Sequence, residues 1–439
     1  MDRRARLLAL AGRHALRRVT QHPYIAGAAL LLAAGAAGWS LWNSAQQPPI
    51  KLGIVHALSG PMDISEKPMV DAELLAVEEI NAGGGVLGQP LEPVVADGAS
   101  DPATYARQVE KLITRDQVSA VIGCWTSACR KTVKPVVERH NHLFIYPMAF
   151  EGLETSRNII YTGAAPSQQI IPAVKWSFDN LGKRYVLVGS DYVWPHSVNA
   201  IIRDQLQALG GEAVGEVYLP FGTQDASEAV EKIRELKPDA VFSSIAGDTN
   251  LAFYRGLREA GLTAKTTPVV SFSVSEVELQ KLSAADMVGH YSAWSYFQSI
   301  PRPENEAFVR RFRARYGQNR VVSDVMETAY FSVLLWARAV EQAGSPDLSL
   351  VSETILGQSI NAPEGIVTVD PATRHTWRSF NMGLIRADGR IEIVWSAEHP
   401  IRPVPFPRSR TVKQWQDFLQ GLYTAWQQSW TNNTSSRKR

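Results

Sequence analysis

The chain has 439 residues, 45% of them hydrophobic and 20% charged, with a formal net charge of +2. That length accommodates two or three domains, and the composition belongs to a folded protein rather than a disordered one. Two cysteines are too few for a disulfide framework or a multi-cysteine metal site, and the basic excess lies at the two ends, leaving a body without the clustered positive face that nucleic acid requires.

The N-terminus carries Arg3, Arg4, Arg6, Arg13, Arg17 and Arg18, followed by an uncharged run from Tyr24 to Trp42. At 1.5 Å per residue that run spans roughly 28 Å, close to the hydrocarbon thickness of a bilayer. The expected layout is a basic cytoplasmic segment (1–23), an uncleaved transmembrane anchor (24–42) with Trp39 and Trp42 at its outer interface, and a polar linker (43–49). The arginines stay inside, so the body lies in the periplasm or outside the cell, tethered to the cytoplasmic membrane. Cleavage near Ala45 is the alternative.

From Ile50 onward short apolar runs alternate with amphipathic stretches. IKLGIVHAL (50–58), LEPVVADG (91–98), SAVIGC (119–124) and LFIYP (143–147) read as strands. MVDAELLAVEEINA (69–82), TYARQVEKLITRD (104–116) and CRKTVKPVVERHN (129–141) read as helices. Such alternation predicts a parallel sheet covered on both faces. The pattern restarts with a helix over 168–182 and the strand YVLVGSD (185–191), followed by a helix over 197–211, EVYLP (216–220), AVFSSI (240–245) and PVVSFS (268–273). The stretch 288–299 has the composition of a crossover between lobes. Two long helices follow, and then a hairpin or meander with Asp388-Gly389 at a turn. The fold class is therefore α/β with two lobes and a hinged cleft, preceded by one transmembrane helix. The domain bounds are 50–410, with lobe 1 about 50–165 plus part of 300–410 and lobe 2 about 166–290. Residues 411–439 form an amphipathic helix and tail. Ligands of such sheets bind beyond the carboxyl ends of the strands.

Several runs carry a resemblance: IKLGIVHALSGPM (50–62), DAELLAVEEINAGGGVLG (71–88), VIGCWTSACRKTVKPVVE (121–138), YPMAFEGLE (146–154), YTGAAPSQQIIPA (161–173), VGSDYVWP (188–195), AWSYFQSI (293–300) and INAPEGIVTVDP (360–371). On these residues the chain resembles periplasmic binding proteins of the branched-chain amino acid type, and within them the urea-binding component of urea transporters and the short-chain amide receptors. The resemblance implies a type I two-lobed fold, a ligand held between the lobes, urea or a short amide as that ligand, and an ABC permease as partner. The chain departs from the urea pattern at Met148, Ala149 and Phe150, which remove polar groups near the cleft, and at His196, where the family usually has arginine.

Urea and small amides are flat, neutral and rich in donors and acceptors, so their site needs a few fixed polar groups and aromatic walls. Trp125, Thr126 and Ser127 stand where a strand ends and a helix begins, so free backbone N–H groups there face a carbonyl oxygen. Ser127 matches a ligand-contacting position of the amide receptors; it also suits a helix cap. Trp125 reads as a cleft wall or as core. Tyr146 should face the cleft mouth, and Glu151 reads as an acceptor for an amide N–H or as a solvent-facing charge. Across the cleft, Asp191 and Tyr192 follow a strand, and Asp248 follows another; Asp191 also suits a helix cap and Asp248 a turn. Trp194, Ser273 and Trp294 are weaker candidates.

No cofactor, metal or nucleic acid is expected. The histidines show no ligand spacing, and GGG at 83–85 ends a helix rather than opening one. Cys124 and Cys129 read as buried free thiols, pairing being the alternative. The helix over 411–430 places Val412, Trp415, Phe418, Leu419, Leu422, Trp426 and Trp430 on one side and is expected to pack on a lobe, contact with a membrane or a partner being the alternative. Two further functions remain open: a sensory module acting through another chain, and a thiol amidase using Cys124, Lys131 and Glu151.

Overall fold

A computed structural model describes residue 35 and residues 48–281 and 284–432. By its contacts the chain divides into residues 1–49 with 88–90, and residues 50–87 with 91–439; both lobes belong to the second unit. The fold is corrected in one respect. Among the described residues no helix is long and apolar enough to cross a membrane, so the two-lobed α/β fold stands without the preceding transmembrane helix. The physical reason is that every long described helix carries polar or charged residues; the run 24–42, apart from Gly35, lies outside the described residues.

The first lobe is built on a five-stranded sheet. Its strands are β1 (Ile50–His56), β2 (Leu91–Asp97), β3 (Ala120–Gly123), β4 (Phe144–Tyr146) and β5 (Ile159–Tyr161). They lie in the order β2-β1-β3-β4-β5, all parallel. Helices α1 (Asp63–Ala82), α2 (Pro102–Thr114) and α3 (Ser127–Arg139) cover the sheet. Burial on both faces explains why these strands read as continuous apolar runs. α1 begins six residues before the apolar periodicity does, because Glu66 turns inward to accept from the Ala57 N–H at 3.0 Å. α2 starts where Asp101 accepts from the Thr104 N–H and proline holds the first position.

The second lobe carries a seven-stranded sheet. In chain order it runs β6 (Arg184–Ser190), β7 (Glu212–Leu219), β8 (Ala240–Ser244), β9 (Val269–Ser271), β10 (Tyr291–Trp294), β14 (Asn381–Ile385) and β15 (Ile391–Ser396). The spatial order is β15-β14-β10-β9-β8-β6-β7. β14 and β15 pair antiparallel, with Gly389 in the left-handed turn between them. Residues 291–294, read as crossover from composition, are a strand of this sheet; the crossing follows it. Helices α4 (Ile170–Asn180), α5 (Val193–Leu209), α6 (Ser227–Leu236), α7 (Thr249–Glu259), α8 (Glu276–Lys281) and α9 (Ala284–Met287) accompany these strands. α5 starts four residues earlier than expected, at Val193.

Then come α10 (Pro303–Tyr316), α11 (Asp324–Ala343) and α12 (Leu348–Thr354), a three-stranded antiparallel sheet of β11 (Ser359–Ala362), β12 (Gly365–Val369) and β13 (Thr376–Trp377), and α13 (Val412–Ala425). α11 packs along α1. One buried node joins the connecting segments. Arg378 donates to Glu364 at 2.8 Å, to the Thr162 carbonyl at 2.8 Å and to Thr328 at 2.8 Å. Asp324 in turn accepts from the Tyr296 N–H at 2.9 Å. Burial raises the Asp324 carboxyl to about 6, with Arg378 opposing and Glu364 adding to the shift.

Candidate functional site

The carboxyl ends of β3 and β6, one in each sheet, lead into α3 and α5, which contact one another. β3 stops at Gly123, whose φ is +147°, and a Cβ there would lie 1.9 Å from the Val55 carbonyl oxygen; only glycine allows the chain to turn so close to β1. The turn is then clamped by a disulfide between Cys124 and Cys129. This corrects the expectation of free thiols: the Cα atoms lie 6.5 Å apart, within bonding reach, because α3 starts between them. Thr126 is the cap of α3, accepting from the Cys129 N–H at 3.1 Å.

Ser127 opens α3 and is buried. Its hydroxyl donates to the Glu151 carboxylate and accepts from Arg130 at 2.9 Å. Glu151 is not a solvent-facing charge: it is fully buried and accepts from Arg130 at 2.8 Å. Arg130 also reaches Glu154 at 3.0 Å, as does Lys131 at 3.0 Å. Two cations and two carboxylates thus balance in a dry site, as buried charges must. Burial alone would raise the Glu154 carboxyl; Arg130 and Lys131 outweigh it and hold it well below the usual range. The guanidinium of Arg130 lies 4.4 Å from the Phe150 ring and 4.9 Å from that of Tyr146. Phe150 therefore supplies a cation–π face without the hydroxyl of the tyrosine expected there from the urea pattern. Tyr146 does not reach the cleft mouth. Its ring is buried and its hydroxyl donates to the Trp125 carbonyl at 2.5 Å, and burial pushes its phenol up.

From the second lobe, α5 packs against α3, and Tyr192, just before α5, lies near Tyr146, Glu151 and Arg130. Burial raises its phenol first, and the neighbouring Tyr146 and Glu151 raise it further. Asp191 turns elsewhere, to His196 at 2.9 Å and Asn432 at 2.8 Å; His196 stacks on Tyr218, centroids 3.5 Å apart. Asp248 stands before α7 without capping it. Burial and the nearby Asp63 raise its carboxyl, so it marks the contact between lobes rather than the inner site. Trp194 is buried, Ser273 donates to the Ile245 carbonyl, and Trp294 donates to the Val274 carbonyl at 2.8 Å.

The structure thus brings together Trp125, Thr126, Ser127, Tyr146, Glu151 and Tyr192, and leaves Asp191 and Asp248 aside. Sequence reasoning missed Arg130 and Glu154 as members of the site. The available signal was a pair of basic residues one turn into a helix that packs on a sheet, a place where charge survives only when paired. Outside this knot opens a cavity of about 840 Å³ lined by Thr126, Lys131, Tyr192, Phe221, Tyr423 and Trp430, among others. The lobes meet elsewhere too: Ser65 donates to Glu278 at 2.8 Å, and a Cβ on Gly247 would lie 3.0 Å from the Pro61 carbonyl oxygen. The cleft is closed. The disulfide also consumes the sulfur that a thiol amidase would use as nucleophile, which removes that alternative.

The family described as periplasmic binding protein domain matches residues 50–412. The chain belongs to this family. Membership makes it a binding protein for small molecules and implies an extracytoplasmic binding domain, in keeping with a disulfide. Among similar proteins, a Leu/Ile/Val-binding protein homolog 6 of Brucella melitensis is 24% identical over 345 residues, 76% of this chain and 86% of the relative. A leucine-, isoleucine-, valine-, threonine- and alanine-binding protein of Pseudomonas aeruginosa is 23% identical, covering 78% and 91%. A solved solute-binding protein of an ABC transporter from Rhodopseudomonas palustris, in complex with 3,4-dihydroxybenzoic acid, superposes with a TM-score of 0.74 at 21% identity, covering 81% and 99%. These structural likenesses bear on the fold. A limonene hydroxylase of Geobacillus stearothermophilus is 36% identical over 117 residues. The chain spans only 21% of that protein's length, and the match says nothing about the whole.

Proposed function

We propose that this periplasmic binding protein captures a small neutral amide, urea or a short-chain amide, and delivers it to an ABC permease. The transport role is supported by the relatives, whose names describe binding components of such transporters. The ligand is a separate inference, and the observation that carries it is the charge balance of the inner site. Arg130 directs its Nε, Nη1 and Nη2 to Glu154, Ser127 and Glu151, and Lys131 is paired with Glu154 and Glu151. A benzoate carboxylate or an amino-acid zwitterion entering there would have to break one of these pairs, which is costly in a dry site. A neutral amide adds donors and acceptors without adding charge.

The ligand carbonyl is placed at the start of α3, near Ser127, and its N–H groups toward Glu151 and the Tyr192 hydroxyl, with Trp125 and Tyr146 as walls. Urea and the small amides are far smaller than the 840 Å³ outer cavity, which serves as the route in. A thermal-unfolding panel tests this reading. Urea, formamide or acetamide in hundredfold excess over its dissociation constant should stabilise the protein by about 2.7 kcal/mol. Stabilisation by isoleucine or 4-hydroxybenzoate alone would overturn the ligand assignment and leave the family standing.

A further inference from the structure

The chain beyond α13 runs back into the cleft. Gln427 and Gln428 both take positive φ, 58° and 62°, a conformation that side-chain-bearing residues adopt sparingly. The reversal they make sends Ser429 to Asn432 back to the cavity, whose wall includes Gln428, Ser429, Trp430 and Thr431. On the second lobe the segment is held by backbone. Trp430 accepts from the Val193 N–H at 3.0 Å, and Asn432 donates to the Asp191 carbonyl at 3.1 Å, forming an antiparallel bridge between Tyr192 and Thr431. α5 has no side-chain cap, so the Trp430 carbonyl satisfies one of its first N–H groups. On the first lobe the hold is weaker: the Trp430 ring lies 4.9 Å from the Lys131 ammonium. Tyr423 backs that ring, its centroid 4.5 Å away.

We infer that residues 426–432 are a latch of the ligand cavity. They travel with the second lobe through their backbone bonds, fasten to the first through Trp430 on Lys131, and must unfasten before a ligand passes. The inference rests on the reading that this cavity is the ligand's route. It makes Trp430 part of the binding site although the residue lies more than three hundred positions from Ser127 in the chain.

The test uses the full chain, Trp430→Ala and Asn432→Pro, the second removing a backbone donor while leaving the ring. Hydrogen exchange at Val193 and small-angle scattering are recorded without ligand. Acetamide association and dissociation are followed by stopped flow. Both variants should speed Val193 exchange and increase the open fraction. Trp430→Ala should raise both acetamide rates together by about two- to fivefold, the factor that a partly exposed cation–π contact corresponds to. Unchanged exchange and scattering in both variants would overturn the latch, as would faster exchange with unaltered opening, which would make the segment mere packing. Should acetamide not bind even the wild-type chain, the amide reading falls, and the two ligand-free measurements still decide the latch.

Discussion

The Ser127 hydroxyl and the Glu151 carboxylate, which follow different strands of the first lobe, share a hydrogen bond inside the closed cleft. Ser127 sits on the first turn of α3 and Glu151 on the loop after β4, so the bond ties two strand ends beside the expected ligand position. Glu151→Gln removes the charge that answers Arg130 while keeping the shape. Breaking a buried pair on one side costs about 3–5 kcal/mol, and denaturant unfolding should show a loss of that order. Ser127→Ala removes one hydroxyl; it should leave the fold intact and weaken amide binding by about tenfold, the equivalent of one hydrogen bond. Equal loss of stability in both variants would contradict the division of roles.

The disulfide between Cys124 and Cys129 closes a short loop, for which chain entropy predicts about 2 kcal/mol. Reduction should lower the unfolding midpoint accordingly and weaken ligand binding, since the clamp fixes Thr126 and Ser127. A protein whose melting and affinity are indifferent to reductant would show that the clamp holds nothing.

Glu276 accepts from the Gln298 N–H at 2.6 Å in the segment that leaves the second lobe. Burial raises its carboxyl to about 8, from 4.5, with Glu278 and Asp324 adding to the shift. The folded state therefore keeps this group neutral where the unfolded chain has already released the proton. Its contribution to stability is full below pH 4.5 and is lost as pH rises through 8. Glu276→Gln keeps an acceptor for Gln298 and abolishes the titration. Relative to wild type it should gain about 1–3 kcal/mol at pH 9 and nothing at pH 4. A pH-independent difference between the two proteins would contradict this.

Lobe closure leans on Ser65, whose hydroxyl donates to Glu278 across the cleft. Ser65→Ala should cost about 1 kcal/mol of closure and raise the radius of gyration of the ligand-free protein in solution scattering. An unchanged scattering profile would mean that closure is held by other contacts.

Much of the architecture was legible because it depends on periodicity. The apolar runs at 50–58, 119–124 and 185–191 are buried strands, and strand-helix alternation dictates a parallel sheet. The helix starts were less legible. α1 and α5 begin before their apolar stripes do, the first with Glu66 of its own first turn facing inward to Ala57 and the second through the Trp430 carbonyl, which is distant in sequence. The site was partly legible: residues at strand ends were found by position, which brought in Ser127, Glu151 and Tyr192. Position alone also selected Asp191, whose carboxylate is engaged by His196 and Asn432, and Asp248, which lies at the lobe contact. Arg130, on a helix, and Glu154, on a loop, escaped because a charged residue reads as solvent-facing until a partner is known. The pairing of Cys124 with Cys129 depended on where α3 starts, which local spacing does not fix.

The most direct measurement is calorimetric titration of the full chain with urea, acetamide, isoleucine and 4-hydroxybenzoate, in the wild type and in Ser127→Ala. A neutral amide should bind and be weakened by the substitution, while the charged ligands give no heat. Tight binding of isoleucine or 4-hydroxybenzoate, with no response to either amide, would contradict the claim that the inner site has no charge to spare.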